Sequence, residues 1–368
     1  MHNLNHMNIN RSVKNLNYPE YAGIKKPVRL DLSLNENQFV SQRVLRYIRK
    51  LESKISYYQL AQDPELILKI AKKFKINKNQ ILLTEGCDGA LHHIAESFLE
   101  ENDRVIIPIP TFGRYEFHTK IMGAKPIFIS FTNFPFVLDL NKIKKQCLSK
   151  KVKLIFLCNP NNPTGHHIKT KIIDKFLQGL RSTIVVIDEA LADYLNDTSI
   201  NLVNKYQNLI VTRSFSKFYG LAGLRIGYLI SNARFIRQIA KTISPFALTS
   251  LSIEAAKAVL DDKRFIDLNY QKFKESLDYL KNNLKLNFSN LLYWTNSSTA
   301  TILICVPNFK RNLYSVLLKN GILTVPGKDF RGLEKQNCVR ISIQDLSRME
   351  KLIDTLKSIF NIRNQNRE

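Results

Sequence analysis

The chain has 368 residues, 44% hydrophobic and 23% charged, which excludes a disordered or collagen-like protein. At about 150 residues per domain, this length favours two domains, or one large domain with an appendage. The net charge of +24 would suit a nucleic-acid-binding protein, but lysines and arginines form short scattered clusters without a helix-turn-helix, zinc-finger or RNA-recognition signature, so we expect no nucleic-acid partner.

The first residues, Met1–His6, lack the apolar run of a signal peptide. No uncharged apolar stretch reaches the ~20 residues that a membrane-spanning helix needs. We therefore expect a protein that is neither secreted nor embedded in a membrane.

Six short apolar runs, rich in β-branched residues, alternate with more polar stretches. The runs are Ile81–Leu83, Arg104–Ile109, Pro126–Phe131, Lys153–Leu157, Thr183–Ile187 and Asn208–Thr212. Nearly continuous apolar strands are typical of a parallel sheet that is buried on both faces. Cys87–Glu100 has the apolar spacing of a helix. The alternation predicts an α/β fold, with a large domain whose mainly parallel central sheet is flanked by helices.

Glycines and polar residues follow five of these strands directly. The five segments are Gly86-Cys87-Asp88, Pro110–Gly113, Asn159–Gly165, Asp188-Glu189-Ala190 and Arg213–Lys217. Ligands of open α/β sheets bind beyond the carboxyl ends of the strands. The sequence therefore predicts one composite site at this edge of the sheet.

Beyond about Pro245 the pattern changes. Helical stretches at Ser252–Leu260 and Phe273–Leu284 precede an alternating segment at Thr299–Val306, and a further apolar segment follows at Val339–Ile343. This pattern predicts a smaller α+β domain. The expected division is an N-terminal arm at 1–30, a large cofactor-binding domain at 31–247 and a small C-terminal domain at 248–368.

The five cysteines form no C-x-x-C pair and are too few for a disulfide scaffold. A cysteine zinc site is not expected either, and we predict no metal. Reduced thiols in a cytoplasmic protein are the simplest interpretation.

Lys217 is flanked by Ser214 and Ser216, and Arg225 follows eight residues later. The hydroxyls and the guanidinium could bind one phosphate group, the arginine through two parallel hydrogen bonds. The nearby positive charge would lower the pKa of the lysine and free its amine as a nucleophile. An amine fixed beside a phosphate site suits pyridoxal 5'-phosphate (PLP), which carries an aldehyde.

Asp188 could keep the pyridine nitrogen of that cofactor protonated, which makes the ring an electron sink. Gly86, Cys87 and Asp88 open a predicted helix, whose first N–H groups and dipole can hold phosphate.

Phe112 could stack on the ring, and Asn162 could hydrogen-bond the ring oxygen. Each of these residues alone also has an ordinary interpretation, such as an exposed lysine, a solvated strand end or a turn glycine. Their order at successive strand ends makes coincidence a poor explanation.

Three motifs identify a family that the chain resembles over essentially its whole length. They are Asn161–Gly165, Asp188-Glu189-Ala190 and the run Ser214–Gly227, with further support from Leu34–Asn37 and Asn337–Ser342. The chain resembles fold-type I PLP enzymes of the class I/II aminotransferase family. Within that family it is most similar to histidinol-phosphate aminotransferases and relatives such as threonine-phosphate decarboxylase.

The resemblance implies a role for each matched residue. Lys217 would link covalently to PLP and then carry the proton between the substrate Cα and the cofactor. Asp188 would pair with the ring nitrogen, Asn162 would contact the ring hydroxyl, and Arg340 would bind the substrate α-carboxylate, with Asn37 also near the substrate. The implied phosphate-binding set is Gly86, Cys87, Ser214, Ser216 and Arg225, and Asp88 is a further expected cofactor-binding residue.

The resemblance also implies the reaction and the assembly. The reaction would move an amino group between an amino acid, or a related amine, and a 2-oxo acid. Tyr58, or alternatively Tyr57, is similar to the tyrosine that reaches the phosphate in a neighbouring subunit, which implies a homodimer with shared active sites. The alternatives are a PLP-dependent decarboxylase and a non-catalytic binding protein; Met1–Arg29 is too short for an added DNA-binding domain.

Two positions depart from the family pattern. Leu191 stands where a tyrosine usually donates a hydrogen bond to the ring oxygen, and on its spacing Tyr194 is not expected to replace that donor. Val325 stands where histidinol-phosphate aminotransferases carry an arginine that binds the substrate phosphate, so we expect weak or no preference for histidinol phosphate. Lys328 could meet an anionic side chain only as a flexible point charge.

Overall fold

The computed structural model describes residues 10–14, 16, 28–51 and 55–362. Its strands are β1 (Leu30–Asp31), β2 (Ile81–Thr84), β3 (Arg104–Ile109), β4 (Lys125–Ser130), β5 (Leu154–Cys158), β6 (Ile184–Asp188), β7 (Leu209–Ser214), β8 (Gly227–Ser231), β9 (Tyr293–Trp294), β10 (Thr301–Cys305), β11 (Ile322–Leu323), β12 (Val325–Pro326) and β13 (Cys338–Ser342). Its helices are α1 (Arg11–Lys14), α2 (Gln42–Arg49), α3 (Pro64–Phe74), α4 (Gly86–Phe98), α5 (Arg114–Ile121), α6 (Leu140–Lys150), α7 (Thr170–Leu177), α8 (Ala233–Ile239), α9 (Ser250–Leu260), α10 (Lys263–Phe288), α11 (Leu313–Lys319) and α12 (Leu346–Ile359). None of the helices in these ranges has the length and apolar character needed to cross a membrane.

A seven-stranded sheet has the strand order β2-β8-β7-β6-β5-β3-β4. Neighbouring strands are parallel except at β8, which runs antiparallel to both β2 and β7. All six strands expected from the apolar runs are present, each within two residues of the predicted ends. The predicted α/β fold with a mainly parallel central sheet is confirmed.

The apolar runs in the sequence do not reveal β8. All five of its residues are buried, and it follows Arg225 almost directly. Its apolar core, Tyr228–Ile230, is only three residues long and directly follows the glycine-containing motif Ser214–Gly227. A run this short carries little periodic signal, although its buried character could have been suspected.

Alternate residues of β6 pack on opposite faces of the sheet. Val185 and Ile187 belong to one hydrophobic cluster, and Ile184 and Val186 belong to another. Because successive strand side chains point to opposite faces, both faces of this strand are covered. This burial accounts for the continuous apolar runs in the sequence.

The C-terminal part has a different architecture. A four-stranded antiparallel sheet has the order β12-β13-β10-β9, and α10 packs against α12. The short β1 pairs in parallel with β11, which ties the start of the described chain to this part. Most of the predicted arm lies outside the described residues, and the boundaries at 30/31 and 247/248 stay predictions.

Cys305 and Cys338 are direct partners in the antiparallel pair of β10 and β13, and they form a disulfide bond. The expectation of five reduced thiols is therefore wrong for these two residues. The sequence could not show the pairing, because the two cysteines are 33 residues apart and only the strand register places their Cα atoms 4.0 Å from each other. The remaining three cysteines are free thiols. Cysteine chemistry thus no longer supports the predicted cytoplasmic location.

Candidate active site

A cavity of about 600 Å³ lies at the carboxyl ends of the parallel strands, where β13 approaches them. Ten of the thirteen predicted site residues line it. They are Cys87, Asp88, Phe112, Asn162, Asp188, Ser214, Ser216, Lys217, Arg225 and Arg340. Strand order explains the convergence, because β2, β3, β5, β6 and β7 all run in the same direction and end at the same edge.

Lys217 lies three residues after the end of β7, and its Nζ donates a hydrogen bond to the carbonyl oxygen of Leu34 at 2.8 Å. Burial, followed by the charges of Arg340 and Arg225, lowers the pKa of this lysine to about 8, although Glu36 opposes the shift. A substantial fraction of the amine is therefore neutral near neutral pH, which is the form that attacks a carbonyl carbon.

Asp188 ends β6 and is only 3% exposed. Its carboxylate accepts hydrogen bonds from the Tyr115 hydroxyl at 2.8 Å, the Thr212 hydroxyl at 3.1 Å and the Ala190 N–H at 3.0 Å. Burial nevertheless raises the pKa of Asp188. All three donors are neutral, so this carboxylate is prepared to receive a cationic N–H from the cavity.

Tyr115 is a functional candidate that the sequence analysis missed. Its ring is fully buried and stacks on Phe156 at 5.1 Å, which fixes the hydroxyl toward Asp188. The sequence contains no local pattern that relates Tyr115 to Asp188, because the two residues are 73 positions apart.

Several groups around the cavity can hold phosphate. Helix α4 begins at Gly86, and no side chain caps its first N–H groups. Gly86 itself does not line the cavity, but a Cβ built on it would lie 3.0 Å from the Arg225 guanidinium, so the glycine allows this close approach. Ser214 and Ser216 line the cavity, and the Ser216 N–H donates to the Ser214 hydroxyl at 3.0 Å. N–H groups, hydroxyls and a guanidinium together form an anion site.

Asn162 and Phe112 also line the cavity. Asn162 Oδ1 is buried and, within the described part of the chain, has no hydrogen-bond partner. A buried amide oxygen without a partner is costly, so this atom indicates a polar ligand group beside it. A ring hydroxyl would supply a suitable donor.

Leu191 also lines the cavity, at the position where the family usually has a tyrosine. Tyr194 does not replace that tyrosine: it is buried between the rings of Phe218 and Phe273, with centroid distances of 5.2 and 4.4 Å, and it lies outside the cavity lining. Leu191 therefore offers no hydrogen bond to a ring oxygen beside Asn162, and Tyr194 does not supply one in its place.

Arg340 approaches the cavity from β13 and donates a hydrogen bond to the carbonyl oxygen of Ser33. The loop that contains Ser33 is held to β13 by two further hydrogen bonds. The Asn35 N–H donates to the Ser342 hydroxyl, and this hydroxyl donates to Asn35 Oδ1. Val325 is the direct cross-strand partner of Arg340, so an apolar side chain stands beside this guanidinium.

Tyr58 and Asn37 do not line the cavity of their own chain. Tyr58 is 85% exposed, and its ring packs on Phe246 at 4.7 Å. The Asn37 amide turns instead toward the Phe218 carbonyl at 2.8 Å and Asn269 Oδ1 at 3.1 Å. Their cofactor and substrate roles stay predictions.

The chain matches the family model described as aminotransferase class I and II over residues 28–356. The chain belongs to this family. Histidinol-phosphate aminotransferase from Caldicellulosiruptor saccharolyticus is 33% identical over 314 residues, which cover 84% of this chain and 86% of the relative. Histidinol-phosphate aminotransferase 1 from Bacillus cereus is 30% identical over 352 residues, covering 94% and 92%.

Solved structures have the same fold. Histidinol-phosphate aminotransferase from Sinorhizobium meliloti in complex with PLP superposes with a TM-score of 0.86 at 23% identity, covering 96% of this chain and 97% of that one. L-threonine-O-3-phosphate decarboxylase from Porphyromonas gingivalis gives 0.75 at 25% identity, with coverages of 88% and 100%. The chain is a PLP-dependent aminotransferase of fold type I.

The residues present fit PLP. The glycine-opened helix and Arg225 match its phosphate, the unpartnered Asn162 oxygen matches its hydroxyl, and Asp188 matches its ring nitrogen. When bound, PLP supplies an aldehyde that condenses with amines and a ring that accepts electrons.

Proposed function

We propose that this aminotransferase moves an amino group between an amino acid, or a related amine, and a 2-oxo acid, with Lys217 as the catalytic residue. The observation that carries the proposal is the convergence of Lys217, Asp188 and Arg340 on one cavity. An amine, a carboxylate for a cationic ring nitrogen and a guanidinium for a carboxylate are the three groups this reaction needs.

Lys217 Nζ holds and moves the proton in this proposal. Its pKa of about 8 suits both the acidic and the basic role near neutral pH, because a transferring group works best when its pKa is close to the working pH. The Leu34 carbonyl orients the amine while it is free.

Asp188 would bind the ring nitrogen, and the N-terminus of α4, Ser214, Ser216 and Arg225 would hold the phosphate. Phe112 would contact the ring and Asn162 its hydroxyl. Arg340 orients the substrate carboxylate by two parallel hydrogen bonds. Together these contacts fix the substrate Cα within reach of the lysine.

The relatives at 30–33% identity carry the name of histidinol phosphate, but we propose that this chain prefers other amino donors. Val325 is buried and apolar where an arginine would contact the substrate phosphate. Lys328 is exposed and does not line the cavity, so it does not replace that arginine.

A homodimer is part of the proposal. Large apolar side chains are exposed at Ile55, Tyr57, Tyr58 and Leu60, and the Tyr58 ring packs on the exposed Phe246. Clustered exposed apolar side chains mark protein–protein contacts. In the dimer, Tyr58 would extend toward the cavity of the neighbouring copy.

The test is a screen of amino donors that follows the visible absorption of the bound cofactor in single-turnover experiments. Transamination converts the cofactor to its amine form, whereas decarboxylation regenerates the aldehyde and releases carbon dioxide. We expect the amine form with ordinary amino acids and slow conversion with histidinol phosphate.

Lys217→Ala should abolish both the borohydride-sensitive visible band and turnover, since no other amine replaces Nζ. Lys205→Ala, which removes an exposed lysine paired with Asp174, is the matched control and should leave both unchanged. Turnover by the Lys217 variant would contradict the assignment of the catalytic lysine.

A further inference from the structure

Four cationic side chains line the cavity: Arg114, Lys217, Arg225 and Arg340. The proposed function uses the last three for the amine, the cofactor phosphate and the substrate carboxylate. Arg114 has no role in that scheme. It is the second residue after Phe112, the proposed ring-covering side chain, and it begins helix α5.

Arg114 is held firmly by its neighbours. Its Nε donates to Asp88 Oδ1 at 2.8 Å, and its guanidinium carbon lies 4.0 Å from the centre of the Phe117 ring. His118, one helical turn further along α5, contacts the same carboxylate oxygen at 2.9 Å. Although burial opposes it, His118 and Arg114 lower the pKa of Asp88 to about 2, so this carboxylate stays ionised.

The terminal nitrogens of Arg114 remain available. Within the described ranges, Asp88 is the one hydrogen-bond partner recorded for Arg114, and that bond uses Nε. The two Nη atoms form a fork that matches the two oxygens of a carboxylate or phosphate. The side chain is 16% exposed, so a ligand in the cavity meets a partly desolvated guanidinium with its orientation already fixed.

We propose that Arg114 is a specificity-determining residue that binds an anionic group at the far end of the substrate side chain. This inference rests on the proposed function, in which Arg340 binds the other end of the substrate. Val325, which lies beside Arg340, carries no charge that could bind this anionic group. In this proposal, Arg114 therefore makes the enzyme prefer substrates with acidic side chains over substrates with neutral ones. The ligand chemistry is a terminal carboxylate or phosphate.

The alternative to this proposal is that Glu36, and not Arg114, recognises the end of the substrate side chain. Glu36 also lines the cavity, and its charge acts on Lys217. If Glu36 rather than Arg114 faced the end of the substrate, donors with a cationic side chain would react best.

The experiment compares Arg114→Gln and Arg114→Lys with the wild-type holoenzyme. Single-turnover rate constants are measured for L-glutamate against L-glutamine, and for O-phospho-L-serine against L-serine, so that the two arms separate carboxylate from phosphate recognition. Arg114→Gln should reduce the acidic-over-neutral preference on the order of 10- to 100-fold, since charge-assisted hydrogen bonds are lost. The preference ratio of Arg114→Lys should lie between those of the wild type and Arg114→Gln. Lysine keeps the positive charge but cannot form two parallel hydrogen bonds.

The chain provides a matched control in Arg331. It makes a bidentate pair with Glu116 of the same helix at 2.8 Å for both bonds, and it lies 4.4 Å from the Phe128 ring, but it does not line the cavity. Arg331→Gln should leave both preference ratios unchanged.

Equilibrium binding gives a second readout that does not depend on turnover. Isothermal titration with glutarate and butyrate should show that Arg114→Gln weakens glutarate binding and leaves butyrate binding unchanged. Equal glutarate affinity in the wild type and the variant would overturn the inference, as would a wild-type preference for L-lysine or for neutral donors. Failure of every donor to convert the cofactor would overturn the proposed function instead, while the glutarate comparison would still decide the role of Arg114.

Discussion

Asp188 and Glu189 are consecutive buried carboxylates with opposite surroundings. Asp188 is 3% exposed and Glu189 is 1% exposed, and burial raises the pKa of both. Asp188 lines the cavity, whereas Glu189 points to the other side of the strand end. The two residues thus allow the same chemical group to be compared in two environments a single residue apart.

Glu189 has its counter-charge within the protein. Arg213 donates to it at 3.1 Å and also to Asp193 at 3.1 Å, while Thr198 and the Ser199 N–H complete its hydrogen bonds. Despite burial, Arg213 and Lys73 lower the pKa of Asp193. Each carboxylate of this cluster is paired with a cation, so the charges are compensated within the protein.

Asp188 receives only neutral donors. No lysine, arginine or histidine nitrogen of the described residues lies within 4 Å of its carboxylate. A buried carboxylate without a cation is unfavourable unless a ligand brings one. The lack of a cationic partner among the described residues, more than burial or an altered pKa, therefore distinguishes the carboxylate that we assign to the cofactor.

The largest expected effect comes from removing the charge of Asp188. Asp188→Asn keeps the shape and part of the hydrogen bonding but cannot stabilise a cationic ring nitrogen, so kcat should fall on the order of 10²- to 10³-fold. The unfolding midpoint should change little, since the carboxylate has no cationic partner among the described residues to lose. Steady-state kinetics and urea unfolding measure the two quantities.

Glu189→Gln is the matched variant and should show the reverse pattern. Removing one carboxylate from Arg213 leaves a buried cation partly uncompensated, which costs about 3 kcal/mol of unfolding free energy. The folded fraction should retain kcat within a few-fold. If the two variants lost activity and stability to the same degree, the distinction between Asp188, whose carboxylate lacks a cationic partner among the described residues, and Glu189, whose carboxylate is paired with Arg213, would be wrong.

The sequence predicted the parallel sheet and most of the cavity lining for one physical reason. Continuous apolar runs mark strands buried on both faces, and their carboxyl ends must meet at one edge. Residues placed directly at those ends, such as Asp188 and Ser214, therefore converge without any knowledge of side-chain contacts.

What the sequence could not predict depends on contacts between distant segments. Tyr115 reaches Asp188 across 73 residues, and Arg213 joins Glu189 across 24. Asn37 lies in a segment of the expected motif, yet its amide donates to the Phe218 carbonyl and to Asn269 Oδ1, which lie 181 and 232 residues away along the chain. Local periodicity carries no information on such pairings, which follow from strand order and loop conformation.

The pKa of the Lys217 amine predicts how cofactor capture depends on pH. Because the pKa of Lys217 is lowered to about 8, the neutral form falls about tenfold for each pH unit below that value. The rate at which the apo protein captures PLP should therefore rise with pH and level off above about 8. The appearance of the visible band measures this rate.

Arg340→Gln tests the cause of that pH profile. Removing a neighbouring positive charge raises the pKa of Lys217, so the levelling-off should move to higher pH. A capture rate that stayed constant from pH 6.5 to 9.5 would show that the amine is not the group that limits capture.

The smallest expected effect concerns the neutral donors of Asp188. Tyr115→Phe removes one of three hydrogen bonds to the carboxylate, and each such bond contributes about 0.5–1.5 kcal/mol, so PLP affinity should weaken about two- to tenfold. Fluorescence or absorbance titration of the apo protein measures the dissociation constant. Tyr194→Phe is the control, because that buried tyrosine lies outside the cavity and should leave the affinity unchanged.

The size of the Tyr115 effect decides what keeps Asp188 ionised. If the incoming cation is the main cause, one neutral hydrogen bond changes the affinity only slightly, since the Thr212 hydroxyl and the Ala190 N–H remain. A loss of affinity above about 100-fold would mean that the neutral donors fix the charge before the cofactor arrives. Asp188 and Glu189 would then differ only in the kind of donor that stabilises their charge. The lack of a cationic partner among the described residues would no longer identify the carboxylate that binds the cofactor.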